Sequence, residues 1–337
     1  MHDSARRVLL AYNEPPKSDE DDGVDFISEQ AVKDEVNAVT SALVHLGHLV
    51  ECMPIEHIEK DLKKINQFKP DIIFNLVEGF QGDAAMEMGI ASLWELKGIT
   101  YTGNSALTLG LSLNKAMAKK LFQAENIPTP DFEVFERVPK KNRMAFPLIV
   151  KPSREDASLG ITQDSIVHDL PELQRAVGEI LKKYSQPALV EKFIDGREFN
   201  ISILGNNPIH ILPISEIDFS KLDDDLYAIT TYEAKWMPDH PLYKQTPPCC
   251  PADISPALKR RLEDIALSVY RLLHGRDYGR VDVRMDSTEE IYVLEYNPNP
   301  DISPEAGFIR SLKAGGYEYE DFVSIVLKEA LKRKGNG

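Results

Sequence analysis

Over its first hundred residues the chain alternates short apolar runs with segments of helical period, the pattern that makes a parallel sheet with crossover helices. The expected strands are residues 8–11, 49–53, 71–77 and 99–101. Between the first two, Val32, Val36, Val39, Leu43 and Leu46 recur at spacings of three and four, and Gly47 follows where a left-handed cap is wanted. Residues 84–96 give a second amphipathic helix, closed by Gly98 in the same manner. The acidic stretch Asp19-Glu20-Asp21-Asp22-Gly23 falls in the long first connection. It lacks the full spacing of a helix-loop-helix calcium site and reads as a solvated loop.

The pattern then changes. A helix over 114–125 ends at Ile127-Pro128-Thr129-Pro130, where two prolines in three residues break regular structure and mark a linker. Strands at 132–135, 148–150, 165–167 and 189–194 around a helix at 171–184 suggest a small α+β unit. A third region has extended segments at 199–204, 209–214, 280–285 and 291–296, a long helix over 256–273 and a final helix over 319–332. With 337 residues, two or three domains are expected.

Charge and composition exclude several functions. A net charge of −15, with no basic cluster, repels a polyanion, so nucleic acid is not an expected partner. No stretch approaches the roughly 18 apolar residues of a membrane span. The apolar run Val8-Leu9-Leu10-Ala11 is too short for a signal-peptide core, and a cytoplasmic protein is expected. Cys52, Cys249 and Cys250 fit neither a disulfide framework nor a zinc knuckle and read as reduced thiols.

The chemistry gathers near the carboxy terminus. In Tyr292-Val293-Leu294-Glu295-Tyr296-Asn297, side chains at i and i+2 share a face, so Glu295 and Asn297 converge while Leu294 and Tyr296 face the other way. Gly279-Arg280-Val281-Asp282 places Arg280 and Asp282 on a common face in the same manner. If the two strands form a hairpin turned at residues 286–290, Asp282 meets Glu295 and Asn297 in an oxygen-rich site suited to magnesium or manganese. A solvated polar face is the plain alternative. Upstream, Lys151 ends an apolar strand and is followed by small and polar residues up to Gly160, a phosphate-gripping candidate that is not a Walker loop. Glu191 to Phe199 reads as strand, Asp-Gly turn, strand, able to border a purine, although an ordinary hairpin looks much the same. Lys235 lies in a loop-like region and by itself reads as a surface charge.

These pieces occur in a fixed order, and in that order the chain resembles the ATP-grasp superfamily, within it the D-alanine–D-alanine ligase-like branch. The resemblance runs from Asn75 to Phe322. It is carried by Tyr101-Thr102-Gly103, Lys151-Pro152-Ser153-Arg154-Glu155, Glu191-Lys192 with Glu198, Tyr232-Glu233-Ala234-Lys235, Gly279-Arg280-Val281-Asp282 and Leu294-Glu295-Tyr296-Asn297. It implies an ATP-grasp fold of mixed α/β and α+β class: a Rossmann-like parallel-sheet domain over 1–110, a small central α+β domain over 111–195 and an antiparallel-sheet catalytic domain over 196–337. ATP would lie between two antiparallel sheets. Lys115 and Lys151 would contact its phosphates, with Ser158 in the loop above. Glu191, Lys192, Phe193 and Ile194 would border the adenine and Glu198 the ribose. Lys235 would reach the outer phosphates, Arg280 would stabilise the tetrahedral intermediate, and Asp282, Glu295 and Asn297 would hold two Mg2+ or Mn2+ ions. The implied activity is carboxylate–amine ligation through an acylphosphate, by a homodimer.

Both amino-acid subsites depart from the family pattern. Ala11-Tyr12-Asn13-Glu14 replaces a glycine-rich turn, Asn75-Leu76-Val77-Glu78-Gly79 replaces a histidine-glycine, Ala157 and Trp236 replace a serine and a tyrosine, and Pro298-Asn299-Pro300-Asp301-Ile302 replaces a small glycine-containing turn. The expectation is therefore a ligase of amino acids or similar small acids other than two D-alanines. Glu14 or Glu78 could bind a substrate amine, although each is also explained as a loop carboxylate. The alternatives are a genuine D-alanine–D-alanine ligase, a non-catalytic ATP-binding module, and an amino-terminal sheet that docks a carrier protein.

Overall fold

The computed structural model describes residues 4–14, 24–155 and 158–333, with backbone alone for 24–31. The acidic stretch at 19–23 and Ala157 lie outside the described residues. The first layer is a parallel sheet in the order β2-β1-β3, built from β1 (Arg7–Tyr12), β2 (Leu49–Pro54) and β3 (Ile72–Leu76), with α1 (Val24–His45) and α2 (Ile58–Phe68) in the crossovers. Central β1 is apolar without alternation because both of its faces are covered. Val8 and Leu10 pack with α1, whereas Leu9 and Ala11 pack toward α3 (Glu87–Leu96) and its Trp94. The strand expected at 99–101 reduces to a single bridge, Ile73 to Tyr101, before Gly103 turns the chain at φ +86°.

Two helices join this layer to the next, α4 (Ala106–Leu113), capped by Ser105 and not foreseen from sequence, and α5 (Lys115–Ala124). The central sheet has the order β4-β7-β5-β6, from β4 (Phe132–Phe135), β5 (Leu148–Pro152), β6 (Ile166–Val167) and β7 (Ala188–Lys192), and α6 (Leu170–Tyr184) covers one face.

The last sheet contains β8 (Arg197–Leu204), β9 (His210–Ile211), β10 (Ser215–Ile217), β11 (Pro248–Cys249), β12 (Tyr278–Met285) and β13 (Ile291–Asn297). Its order is β11-β10-β8-β12-β13, with β9 beside β8. The extended segment expected at 209–214 shrinks to the two residues of β9, since Pro208 and Pro213 bracket it and neither can donate to a ladder. Between β10 and β11 lie α7 (Tyr232–Trp236) and α8 (Pro241–Gln245). The loop expected around Lys235 is thus one helical turn, started by Thr231, whose hydroxyl accepts the Ala234 N–H at 3.2 Å.

Helix α9 (Pro256–Leu272) covers one face of this sheet through Leu258, Leu262, Ala266 and Val269. The chain closes with α10 (Gly307–Ala314) and α11 (Tyr319–Arg333), and α11 returns to the first sheet, where Phe322, Val323 and Val326 pack with Val8, Leu10 and Phe74. The uncovered faces of the two antiparallel sheets are left to form a cleft.

Candidate active site

Three neighbouring strands of the last sheet build one wall by cross-strand rows. Register places Glu198 opposite Arg284, Asn200 opposite Asp282 and Ser202 opposite Arg280; on the other side of β12, Asp282 faces Glu295 and Arg280 faces Asn297. The alternate residues Phe199, Ile201, Ile203, Val281 and Val283 are buried in the core under α9. One face is therefore apolar and structural, the other polar and converging. Arg280 grips Asp282 with both arms, Nε to Oδ1 at 2.7 Å and Nη2 to Oδ2 at 2.8 Å, and Asn200 Nδ2 donates to Oδ1 at 2.8 Å. Burial alone would depress the Arg280 pKa, but the Asp282 carboxylate raises it well above the usual arginine range.

A bulge makes this arrangement possible. Val283 pairs with Val293, yet Asp282 pairs with Glu295, so Leu294 is an extra residue in β13. In a regular strand Val293 and Glu295 would share a face, which would send the carboxylate into the core with Val293. The inserted residue resets the alternation, so that Val293 stays in the core while Glu295 and Asn297 turn to the cleft. The simple two-residue alternation expected from sequence holds only from Glu295 onward, and Leu294 is half-buried rather than a partner of Tyr296 in the core.

The opposite wall supplies cations. Glu191, 1% exposed, binds Lys119 Nζ through Oε1 at 2.7 Å and Lys151 Nζ through Oε2 at 2.7 Å. Burial lowers the Lys119 pKa to about 8, with Glu191 opposing, whereas the two lysines overcome burial at Glu191 and hold its carboxyl below the ordinary range. Lys115, the first residue of α5, reaches across to Glu295 Oε2 at 2.5 Å. Burial would raise the Glu295 pKa, but Lys115 and Lys151 bring it down to about 2. Both antiparallel sheets and α5 thus meet in one continuous network of charge.

The segment between β10 and β11 spans the top. Gln163 and Tyr227 exchange two hydrogen bonds, Nε2 to the carbonyl at 3.1 Å and Oε1 from the N–H at 2.9 Å, and Tyr232 N–H donates to the Ile161 carbonyl at 3.2 Å. Thr230 Oγ1 donates to Glu198 at 3.0 Å, and Arg284 donates to the Ala228 carbonyl. Beneath it, Phe193, Ile166 and Ile229 form a small apolar cluster with Ile149, Ile161 and Tyr227 packed against it, and the Arg284 guanidinium lies 5.5 Å from the Phe193 ring centroid. Lys235 Nζ lies 5.1 Å from the Trp236 ring and makes no hydrogen bond or salt bridge among the described residues; burial, then Arg280, lowers its pKa.

The sequence-expected residues fall into three groups. Lys115, Lys151, Glu191, Arg280, Asp282 and Glu295 meet in the charge network. Phe193 and Ile194 are buried beside the apolar cluster, Glu198 faces Arg284 at 3.9 Å, and Asn297 continues the polar row, its Oδ1 accepting the Asn299 N–H at 3.0 Å. Lys192 is exposed, and Ser158 sits in a turn at φ +61°. The Glu191 side chain is committed to its two lysines and does not stand free to meet a purine. Sequence reasoning missed Lys119, Asn200 and Arg284. Each sits at the spacing that carries a neighbour onto the same face: Lys119 four residues after Lys115 on a helix, Asn200 two after Glu198 and Arg284 two after Asp282 on strands.

Comparison with known proteins agrees with this geometry. The family model described as the D-ala D-ala ligase C-terminus matches residues 116–328. An uncharacterized protein of Sinorhizobium fredii is 34% identical over 311 residues, 89% of each chain. A D-alanine–D-alanine ligase of Carboxydothermus hydrogenoformans is 32% identical over 311 residues, covering 88% of this chain and 92% of that one. The chain belongs to the D-alanine–D-alanine ligase family. The ligase of Bacillus anthracis solved with ATP shares the fold at a TM-score of 0.75 and 21% identity, over 98% of this chain and 99% of its own. As its motifs implied, this family member is an ATP-dependent ATP-grasp ligase that forms a peptide bond.

The donor chemistry fits the divalent ion such ligases imply. Among the described residues no three His, Cys, Asp or Glu side chains cluster as a metal cage. Two carboxylates and an amide in adjacent rows give hard oxygen donors with positions left for phosphate and water, which is how magnesium is usually held.

Proposed function

We propose that this enzyme joins the carboxylate of one small substrate, an amino acid or similar acid, to the amine of another, with at least one substrate other than D-alanine. The observation that supports this is the pairing of a complete charge network with altered ends. Lys115, Lys151, Arg280, Asp282 and Glu295 meet across two sheets, whereas the segments at 11–16, 75–79 and 298–302 carry none of the family's substrate turns. In this reading a substrate carboxylate oxygen attacks the γ-phosphorus of ATP, ADP leaves, and an acylphosphate remains. An amine attacks the acyl carbon and phosphate departs with its C–O bonding pair. Lys115, Lys151 and Lys235 bind the phosphates, and Ser158 lies in the loop above them. The main chain at Glu191, with Lys192, Phe193 and Ile194, borders the adenine, and Glu198 meets the ribose. Arg280 stabilises the oxyanion, a role in which losing one donor commonly costs about 100- to 1000-fold in rate.

Asp282, Glu295 and Asn297 would hold one or two Mg2+ or Mn2+ ions. Bound there, such ions neutralise the charge that keeps two anions apart. The segment carrying Lys235 excludes water from the acylphosphate, since it already bridges both sheets. The expected setting is a cytoplasmic homodimer; no described helix is long and apolar enough to cross a membrane.

The test is phosphate release with ATP and Mg2+ over D- and L-amino acids and small hydroxy or dicarboxylic acids, taken singly and in pairs. Release with a pair other than two D-alanines is expected. Efficient release with D-alanine alone would instead make this a genuine D-alanine–D-alanine ligase, and ATP binding without release for any pair would make it a nucleotide-binding module.

A further inference from the structure

A cover over an active site must be held firmly when shut, yet by few enough bonds to open for substrates. We infer that Arg284 is a positioning residue that latches the segment between β10 and β11 onto both antiparallel sheets, and so sets the place of Lys235 and keeps water from the acylphosphate. Water exclusion rests on the acid-activation reading just given, whereas the latch stands on the contacts alone.

Arg284 lies on β12 opposite Glu198 and is 4% exposed. Its guanidinium meets three parts of the chain at once. Nη2 donates to the Ala228 carbonyl, in the segment, and to the Gly196 carbonyl at 3.2 Å, in the turn that joins β7 of the central sheet to β8 of the last. Nε stands 3.9 Å from Glu198 Oε2. The cation also lies 5.5 Å from the centroid of Phe193, in the same connection as Gly196, and 5.6 Å from that of Phe219, in the segment. A flat cation with a fork of donors can serve two carbonyls, a carboxylate and two rings together; an ammonium has neither the fork nor the plane. The turn is shaped to reach it. Gly196 has φ +142°, and a Cβ there would stand 2.1 Å from the Met285 carbonyl oxygen, so only glycine brings this backbone against β12.

The fastening is passed on to Lys235 through the intervening residues. Ile229 is buried in the apolar cluster with Phe193 and Ile166, Thr230 donates to Glu198 at 3.0 Å, and fully buried Thr231 starts the helical turn whose fourth residue is Lys235. Fixing Ala228 therefore fixes where α7 begins. Tyr227 adds hydrogen bonds to Gln163 and, through its hydroxyl at 2.5 Å, to the exposed His168. Those bonds are partly open to water, which can replace them, while the bonds of buried Arg284 have no such substitute. With the latch undone, a water oxygen bonds to the acyl carbon, the C–O bond to phosphate breaks, the acid is regenerated and a proton passes to solvent. Phosphate then appears without amide.

Trypsin reads the latch directly, because Lys221 and Lys244 lie exposed on the segment. Wild type, Arg284→Met, Arg284→Lys and Phe219→Leu are digested with Mg2+ and ATP at saturation, as judged by calorimetry, and their thermal midpoints are compared. Losing buried hydrogen bonds from a charged donor should speed cleavage after these two lysines about 10- to 100-fold in Arg284→Met, and less in Arg284→Lys and Phe219→Leu, with cleavage elsewhere unchanged. Phe219→Leu changes only the segment's side of the contact and decides the matter if Arg284→Met fails to fold or to bind ATP. With an acid and an amine that the wild type joins, phosphate and amide should appear in equal amounts from the wild type, and phosphate should exceed amide in the variants in the same order. Unchanged cleavage in the segment, or cleavage raised equally along the chain with a lowered midpoint, overturns the latch. A loosened segment that still yields equal phosphate and amide overturns its part in excluding water. If the wild type releases no phosphate with any pair, the acid-activation reading falls and digestion alone judges the latch.

Discussion

Glu191 neutralises two lysines from different elements while having almost no contact with water. Removing one partner of a buried ion pair leaves the other charge stranded, so Glu191→Ala should cost about 3–5 kcal/mol of stability in urea unfolding. A loss under 1 kcal/mol would show that the lysines find other partners or solvent. Glu295 sits in the same network but one side of it meets the cleft. Its folded pKa, about 2, lies below the ordinary carboxyl value of 4.5, so its ionised form adds stability above pH 4.5 that is lost as pH falls toward 2. The penalty of Glu295→Gln should therefore be constant from pH 7 to 5 and shrink between pH 4.5 and 3. The same variant should lose at least about a hundredfold in turnover and bind Mn2+ more weakly in calorimetry. These positions were legible as chemistry because Glu, Lys and Arg close to strand ends are conspicuous. Lys119 was not, since a lysine on a helix gives no sign that its head is enclosed until the tertiary packing is known.

At the scale of the element, β13 shows where sequence reading stops. Its apolar run predicts a strand, which is present, and its carboxylate stands in the charge network of the cleft. The bulge at Leu294 is invisible in the letters, because Val293-Leu294-Glu295 reads equally well as plain alternation, and only pairing with β12 reveals the extra residue. Deleting Leu294 should make the ladder regular while Glu295, now directly after Val293, keeps the opposite, cleft-facing side, and Asp282 and Arg280 keep their partners across the pair. ATP binding by calorimetry should therefore persist in this variant; binding lost with an unchanged thermal midpoint would mean that the local bend of the bulge, and not the facing alone, presents the site. The short elements follow the same logic. β10 and α7 are too brief to carry a period of their own, and α10 is hidden behind Pro298, Pro300 and Pro304, so they emerge only from the surfaces they cover.

The whole molecule is tied together at places far apart in sequence. Helix α11 closes the first sheet, so a core begun by residues near 8 is completed by residues near 322. Asp277 adds a buried clasp: it accepts the Gly103 N–H at 2.8 Å and the Asn206 amide at 2.9 Å and pairs with Arg333 near the end of the described chain. The Arg333 guanidinium also donates to the Tyr101 carbonyl at 2.7 Å. These links join the parallel sheet to the last antiparallel sheet through a core, not through a linker, and the prediction is cooperative. Phe322→Ala removes a fully buried ring packed against Tyr278 and Phe308, which should cost about 3–5 kcal/mol. Because that ring belongs to both parts, the lost stability should lower the unfolding of the two sheets together, seen as one shifted calorimetric transition. Two resolved transitions, with only one displaced by the substitution, would mean that the parallel sheet folds on its own and that α11 merely rests upon it.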